Sequence, residues 1–149
     1  MIRPADSEDI ARLKEIAAHS PSAAQWTEEQ WRAALEGSHR RRIVLVLDCE
    51  RSIAGFIVGS EVAGEWELEN VAVIPEMRRR GFGKQLMQGF EALLLKSNAH
   101  LVFLEVRRSN SEARALYEMF GFEFAGTRRE YYKDPQEDAI IYRKLLKNK

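Results

Sequence analysis

The sequence predicts an α/β domain built on one mixed sheet, and three observations carry that prediction. An apolar strand at 66–74 closes at Pro75, passes through the run Arg78-Arg79-Arg80-Gly81-Phe82-Gly83-Lys84, and opens a helix striped with Leu86, Met87, Phe90, Leu93 and Leu94. A further apolar strand at 101–106 follows, which makes a βαβ unit whose two strands run parallel. A hairpin at 43–47 and 53–59 and a strand pair in the last third of the chain supply antiparallel strands. With 149 residues the chain fits a single domain, 1–149, large enough to bury a core without disulfides or metals.

Composition narrows the function classes. Lysine plus arginine and aspartate plus glutamate both number 23, so the net charge is zero and no general attraction to nucleic acid is expected. Cys49 is the single cysteine, which excludes an intramolecular disulfide and a thiolate cluster for zinc; it reads as an inert core thiol, and no metal is expected. The first residues are charged early and lack a hydrophobic signal core, and no run approaches membrane-spanning length, so a cytoplasmic protein with no membrane partner is expected.

Taken in order, residues 2–6 form a short strand, and Ile10, Leu13, Ile16 and Ala17 recur at helical spacing behind a cap at Asp6 or Ser7. The stretch 19–26 breaks that helix, and Thr27-Glu28-Glu29-Gln30 is a capping box for a second one carrying Trp31 and Leu35. Trp26, in the break, either lines a substrate groove or anchors the loop to the core. His39-Arg40-Arg41-Arg42 reads as a solvated edge beside the next strand, and 48–52 as the turn of the hairpin. Period-two alternation puts Glu67 and Glu69 on one face of the strand that leads into the arginine–glycine run.

Two later residues are candidates for chemistry. Glu105 is a carboxylate near the end of an otherwise apolar strand, where burial would raise its pKa and suit it to act as a base near neutral pH; pairing with Arg107 or Arg108, or a solvent-facing carboxylate, is the competing reading. Tyr117 falls on the apolar face of a helix that follows Ser109-Asn110-Ser111-Glu112, read as a capping box, and that ends at Gly121. Its hydroxyl points to the interior or to a cleft, as a proton donor or as a plain core tyrosine. The remainder reads as a strand at 122–129, a loop at 130–138 and a strand at 139–146.

The run Arg78-Arg79-Arg80-Gly81-Phe82-Gly83-Lys84 has the layout of an anion site, with backbone N–H groups at a helix start and arginines beside them. It is not a P-loop, because Arg78 stands where the first glycine is needed and Gln85 where Ser or Thr is needed; it is not a dinucleotide fingerprint, because Leu86 replaces the third glycine. Together with Asn70-Val71-Ala72-Val73 before it, and Leu104-Glu105-Val106-Arg107, Asn110, Ala115-Leu116-Tyr117-Glu118, Gly121-Phe122, Tyr131-Tyr132 and Glu137-Asp138-Ala139-Ile140 after it, the run resembles the GNAT superfamily of N-acetyltransferases. Within it the likeness is to the ribosomal-protein-alanine N-acetyltransferase group, specific from Asn70 to Ile141 and weak before residue 60.

That resemblance implies a mostly antiparallel sheet of six or seven strands, with a splayed parallel pair in the middle and about four helices around it. It implies acetyl-CoA in the opening, held by the backbone of Val71, Ala72 and Val73, by Arg78, Arg79, Arg80, Gly81, Phe82, Gly83 and Lys84 at the pyrophosphate, and by Asn110 at the pantetheine arm. Glu105 would take a proton from the acceptor amine and Tyr117 would protonate the leaving thiolate. The implied acceptor is a protein N-terminus or peptide, a ribosomal protein among the candidates, with Trp26, Glu67, Glu69 and Tyr131 as the acceptor-side residues. A small amine such as a polyamine or aminoglycoside, a lysine side chain, or a noncatalytic acyl-CoA-binding module are the alternatives. Glu69 departs from the family pattern, and with Glu67 it predicts an acidic face for a cationic acceptor.

Overall fold

Local signals decide where the helices begin. In the computed structural model, which describes residues 1–20, 23–37, 40–50 and 52–146, Asp6 and Asp9 cap each other across a short 3-10 turn at Ser7–Asp9 that runs into α1 (Ile10–Ala18). Thr27 and Gln30 close the expected capping box at the start of α2 (Glu28–Glu36). Helix α3 (Phe82–Lys96) starts from Gly81, at φ 81°, with no side-chain cap at all. Helix α4 (Ser111–Met119) is capped by Asn110, whose Oδ1 accepts from the Ala113 N–H at 3.2 Å, while Glu112 turns away to Arg79. The capping box expected at 109–112 therefore reduces to a single Asn cap.

Seven strands form one sheet in the order β1-β2-β3-β4-β5-β7-β6. They are β1 (Ile2–Pro4), β2 (Arg42–Cys49), β3 (Ser52–Val62), β4 (Glu65–Val73), β5 (Leu101–Arg107), β6 (Glu123–Tyr132) and β7 (Glu137–Leu145). Every neighbouring pair is antiparallel except β4–β5. The strands outrun several expected bounds. Backbone pairing extends β2 to Cys49 and starts β3 at Ser52, so residues 48, 49 and 52 leave the expected hairpin turn, and it extends β6 through Tyr132, which takes residues 130–132 out of the expected loop. Arg51, His39 of the basic run, and Pro21 and Ser22 of the helix break lie outside the described residues.

The parallel pair is what shapes the molecule. β4 and β5 share only two registered positions, Trp66 with Val102 and Glu67 with Phe103, and then part. At that point β4 carries a bulge against β3: Gly59 faces Leu68 and Val58 faces Asn70, leaving Glu69 as the extra residue. An extra residue raises the local twist and bends its strand, so β4 turns away from β5 where the opening begins. It also shifts the alternation. Trp66 and Leu68 pack with α3 and α4, whereas Ala72 joins the opposite cluster.

Each face of the sheet buries one apolar cluster. Leu86, Met87, Phe90 and Leu94 of α3 meet Trp66, Leu68, Val102, Leu104 and Tyr117 on one side, and Leu13, Ile16 and Trp31 of α1 and α2 meet Val44, Val46, Phe56 and Val58 on the other. Close approach of α3 depends on Gly59, where a Cβ would stand 2.4 Å from the Phe90 ring. Phe90 is fully buried and has nowhere to retreat. Gly59→Ala is expected to destabilise the fold by about 1–3 kcal/mol through overpacking, measured as a lower urea midpoint at unchanged slope.

The N-terminal strand is tied down by charge. Arg3 holds Asp9 through two bonds of 2.9 and 3.0 Å and Asp48 through a third of 2.8 Å. The Arg3 guanidinium pulls the Asp9 carboxyl below its ordinary range. A depressed carboxylate adds stability above the unfolded-state value, near 3.9, and loses it as pH falls through the folded-state value. Asp9→Asn is therefore expected to lower Tm at pH 7 by several degrees, with the gap to wild type closing as pH falls through the depressed folded-state value.

Candidate active site

From Leu68 onward β4 keeps β3 on one side and has no strand on the other. Two cavities occupy that opening. The larger, about 610 Å³, runs from Val71, Ala72 and Val73 along the arginine–glycine loop to Ala113, Leu116 and Met119 of α4. The smaller, about 80 Å³, is enclosed by Leu68, Glu69, Val71, Glu105, Tyr117 and Tyr132 among others. Val71, Asn110 and Ala113 line both, so the two spaces meet there.

The larger cleft has an apolar wall and a cationic end. Met77, Ala115, Leu116 and Met119 provide the wall, and Arg78, Arg79 and Lys84 stand with Gly81 and Gly83 around the start of α3. That start has no side-chain cap, so its first N–H groups and the positive end of the helix dipole are available to an anion. Arg78 is partly engaged within the protein. Its Nε donates to the Val73 carbonyl at 2.9 Å, and its Nη2 donates to the His19 carbonyl and to Ser20 Oγ, each at 3.1 Å, which ties the loop after α1 to the end of β4. Arg79 sits in the left-handed region at φ 62° and reaches Glu112 at 2.9 Å, both side chains largely exposed. Arg80 touches the Met77 sulfur, and Phe82 packs against the core; neither lines the cleft.

In the smaller cavity, Glu105 is mostly covered, with its side chain 15% exposed. Its Oε2 lies 3.2 Å from Arg128 Nε as an ion pair, and among the described residues that shielded oxygen receives no hydrogen bond. The pairings considered from sequence do not occur. Arg107 is taken by Glu137 and stacks 4.4 Å from the Tyr132 ring centroid, and Arg108 faces Asp138. Tyr117 is buried beside Phe122 and Tyr142, and no hydrogen-bond partner meets its hydroxyl among the described residues. Burial pushes the phenol well above its ordinary value, so it stays protonated across the physiological range.

The carboxyl with a raised pKa is Glu67. Burial is the main cause, with Glu69 and Glu105 adding like charge. Glu69 itself is paired. Arg42 Nε and Nη2 grip its two oxygens at 2.9 and 3.1 Å, and the same guanidinium lies 5.6 Å from the Trp26 ring. Arg42 is thus no solvated edge: it is a half-buried partner of the bulge residue.

The model of the acetyltransferase (GNAT) family matches residues 9–122 of the chain, more than half of it. The chain belongs to that GNAT family. It is 41% identical over 103 residues to the ribosomal protein bS18-alanine N-acetyltransferase of Salmonella typhimurium, covering 68% of this chain and 70% of that one. A Bacillus subtilis protein, named a putative enzyme of the same kind, is 33% identical over 135 residues, covering 90% and 87%. The crystal structure of the ribosomal-protein-S18-alanine N-acetyltransferase of Escherichia coli superposes with a TM-score of 0.87 at 31% identity, covering 100% of this chain and 95% of that one.

As a GNAT protein, the chain is an acetyl-CoA-dependent N-acetyltransferase. The larger cleft fits the donor: an uncapped helix start and cations for the phosphates, an apolar wall for the arm, and an unpaired strand edge where the cleft meets the smaller cavity. Asn110 uses its Oδ1 as the α4 cap, which leaves its amide NH₂ without a partner among the described residues at that junction. Of the expected acceptor-side residues, Trp26 lines neither cavity and packs edge-on against Trp31 at 4.8 Å. Tyr131 is half exposed, 5.1 Å from Tyr132. Tyr132, not Tyr131, lines the smaller cavity, where burial and Glu105 push its phenol up to about 12. The Tyr131-Tyr132 pair was visible in the sequence, but which ring turns inward depends on the register shift between Arg128 and Tyr132. No group of three or more metal-ligating side chains converges among the described residues, and no helix there is long and apolar enough to cross a membrane.

Proposed function

We propose that this GNAT enzyme acetylates the N-terminal α-amine of a protein, in the manner named for its bS18-alanine relatives. The observation that carries the reading is the junction of the two cavities, with Glu105 and Tyr117 both lining the smaller one. Its enclosed 80 Å³ has room for an amine and a small side chain such as alanine, not for the rings of an aminoglycoside. An acceptor made on the ribosome puts the reaction in the cytoplasm.

Acetyl-CoA supplies the thioester, and the backbone of Val71, Ala72 and Val73, the loop from Arg78 to Lys84, and Asn110 hold it. Glu105 takes a proton from the acceptor ammonium through a water, because an ammonium has no lone pair with which to attack. With an α-amine of pKa about 8, this deprotonation is modest at neutral pH, against 10.4 for a lysine. Tyr117 donates its proton to the departing sulfur. Holding amine and thioester together needs no enzyme nucleophile. Since Arg42 pairs with Glu69, Glu67 is the carboxylate left to attract a cationic residue of the acceptor.

The reading is tested by offering an alanine-initiated peptide, a polyamine and an aminoglycoside separately with acetyl-CoA and following thiol release. The peptide is expected to exceed either small amine in kcat/KM by about 10²-fold or more, a margin typical of sites matched to one substrate. Equal or better turnover of a small amine would refute the assignment. An arginine placed in the peptide is expected to raise kcat/KM severalfold, and Glu67→Gln to remove that gain.

A further inference from the structure

We propose that Arg128 is a positioning residue for Glu105, pairing with that carboxylate and holding it aimed into the smaller cavity. The inference rests on the reading of Glu105 as the base. Arg128 comes from β6, two strands away from β5 in the sheet. The register brings them together: Ile141 of β7 faces Glu105 on one side and Gly126 on the other, and Ala139 faces Arg107 and Arg128. Residues opposite one another in antiparallel strands share a face, so Glu105 and Arg128 lie diagonally across β7 on the same side of the sheet. The small residues Gly126 and Ala139 leave the guanidinium a clear path.

The charge balance around Glu105 explains why a cation is needed there. Glu67 approaches from β4 with a like charge, and Tyr132 from β6 and Tyr117 from α4 are neutral phenols that share the cavity. From β7 comes Ile141, which carries no charge. Arg107, on the same strand, is bound to Glu137, to the Lys133 and Pro135 carbonyls and against the Tyr132 ring. Arg128 is the remaining cation paired with Glu105 among the described residues, at 3.2 Å. Its own side chain is 58% exposed, and it is steadied by the Tyr131 ring at 5.6 Å. An ion pair with an arginine this exposed is weakened by water, so its effect on the covered carboxylate is modest.

The test is the pH dependence of kcat at saturating peptide and acetyl-CoA for wild type, Arg128→Gln and Arg128→Lys. Arg128→Gln is expected to move the low-pH limb upward, losing about threefold on that limb, and to come within about twofold of wild type at pH 8.5. Arg128→Lys, which keeps the charge and also guards against a folding defect of the Gln variant, is expected to restore the wild-type limb. Superimposable profiles for Arg128→Gln and wild type, or a loss equal at every pH, would overturn the role. The outcome is separable from that of the base itself. An inactive Glu105→Gln alongside an unshifted Arg128→Gln refutes the inference alone, whereas a fully active Glu105→Gln refutes the reading beneath it.

Discussion

Replacing Tyr117 by phenylalanine is expected to lower kcat by about 10²–10³-fold while leaving acetyl-CoA binding within about twofold, an effect in the range for removal of a positioned proton donor. The substitution takes away one oxygen and keeps the ring contacts with Phe122 and Tyr142. Because no group among the described residues bonds that hydroxyl, its loss leaves no partner stranded there, and Tm is expected to hold or rise slightly. The phenol is raised by burial, so it is present as the protonated donor at every pH at which the enzyme is folded and working. The departing thiolate, near 8.5 for an alkyl thiol, needs that proton in or near the smaller cavity, where water access is limited. Thiol-release kinetics with a fixed peptide check the prediction, and kcat within about threefold of wild type would remove Tyr117 from the mechanism.

The second large effect is expected of Glu105→Gln. The amide is isosteric, and the arginine it would release is mostly solvent-exposed, so the fold is expected to lose less than about 1 kcal/mol. kcat/KM is expected to fall about 10²–10⁴-fold near neutral pH. Residual activity is expected to climb with pH through the titration of the peptide amine, about pH 8, since the variant can use only acceptor that has already lost its proton. Retained activity with the wild-type pH profile would show that the water or another group performs the deprotonation unaided.

The course of the chain was legible because the signals that set it are local. The capping box at Thr27 and Gln30, the apolar stripe of α3 and the strand patterns each lie within one element, and each forms as its spacing predicts. The βαβ unit and the closing antiparallel pair follow from the same patterns, whereas the splay of the parallel pair was implied by the family resemblance alone. The electrostatics of the site were not, because they depend on residues far apart in the chain that meet only through strand register. Arg42 reaches Glu69 across the bulge, and Arg128 reaches Glu105 across β7; neither pairing leaves a trace in local spacing. For the same reason the raised carboxyl is Glu67: burial within the folded sheet is the main cause, and Glu105 adds like charge from the next strand. Arg78 carries the signature of a phosphate loop, yet three of its hydrogen bonds go to Val73, His19 and Ser20, a tie that only the folded path of the α1 exit makes possible.

The most direct test of the account is to locate the acetyl group on a product. An alanine-initiated peptide that also contains an internal lysine is incubated with the enzyme and acetyl-CoA, and the modified nitrogen is assigned by tandem mass spectrometry; the same peptide with a blocked N-terminus is run beside it. The account predicts acetyl on the α-amine of the free peptide and no turnover of the blocked one. Acetylation of the lysine at a comparable rate in both would contradict it.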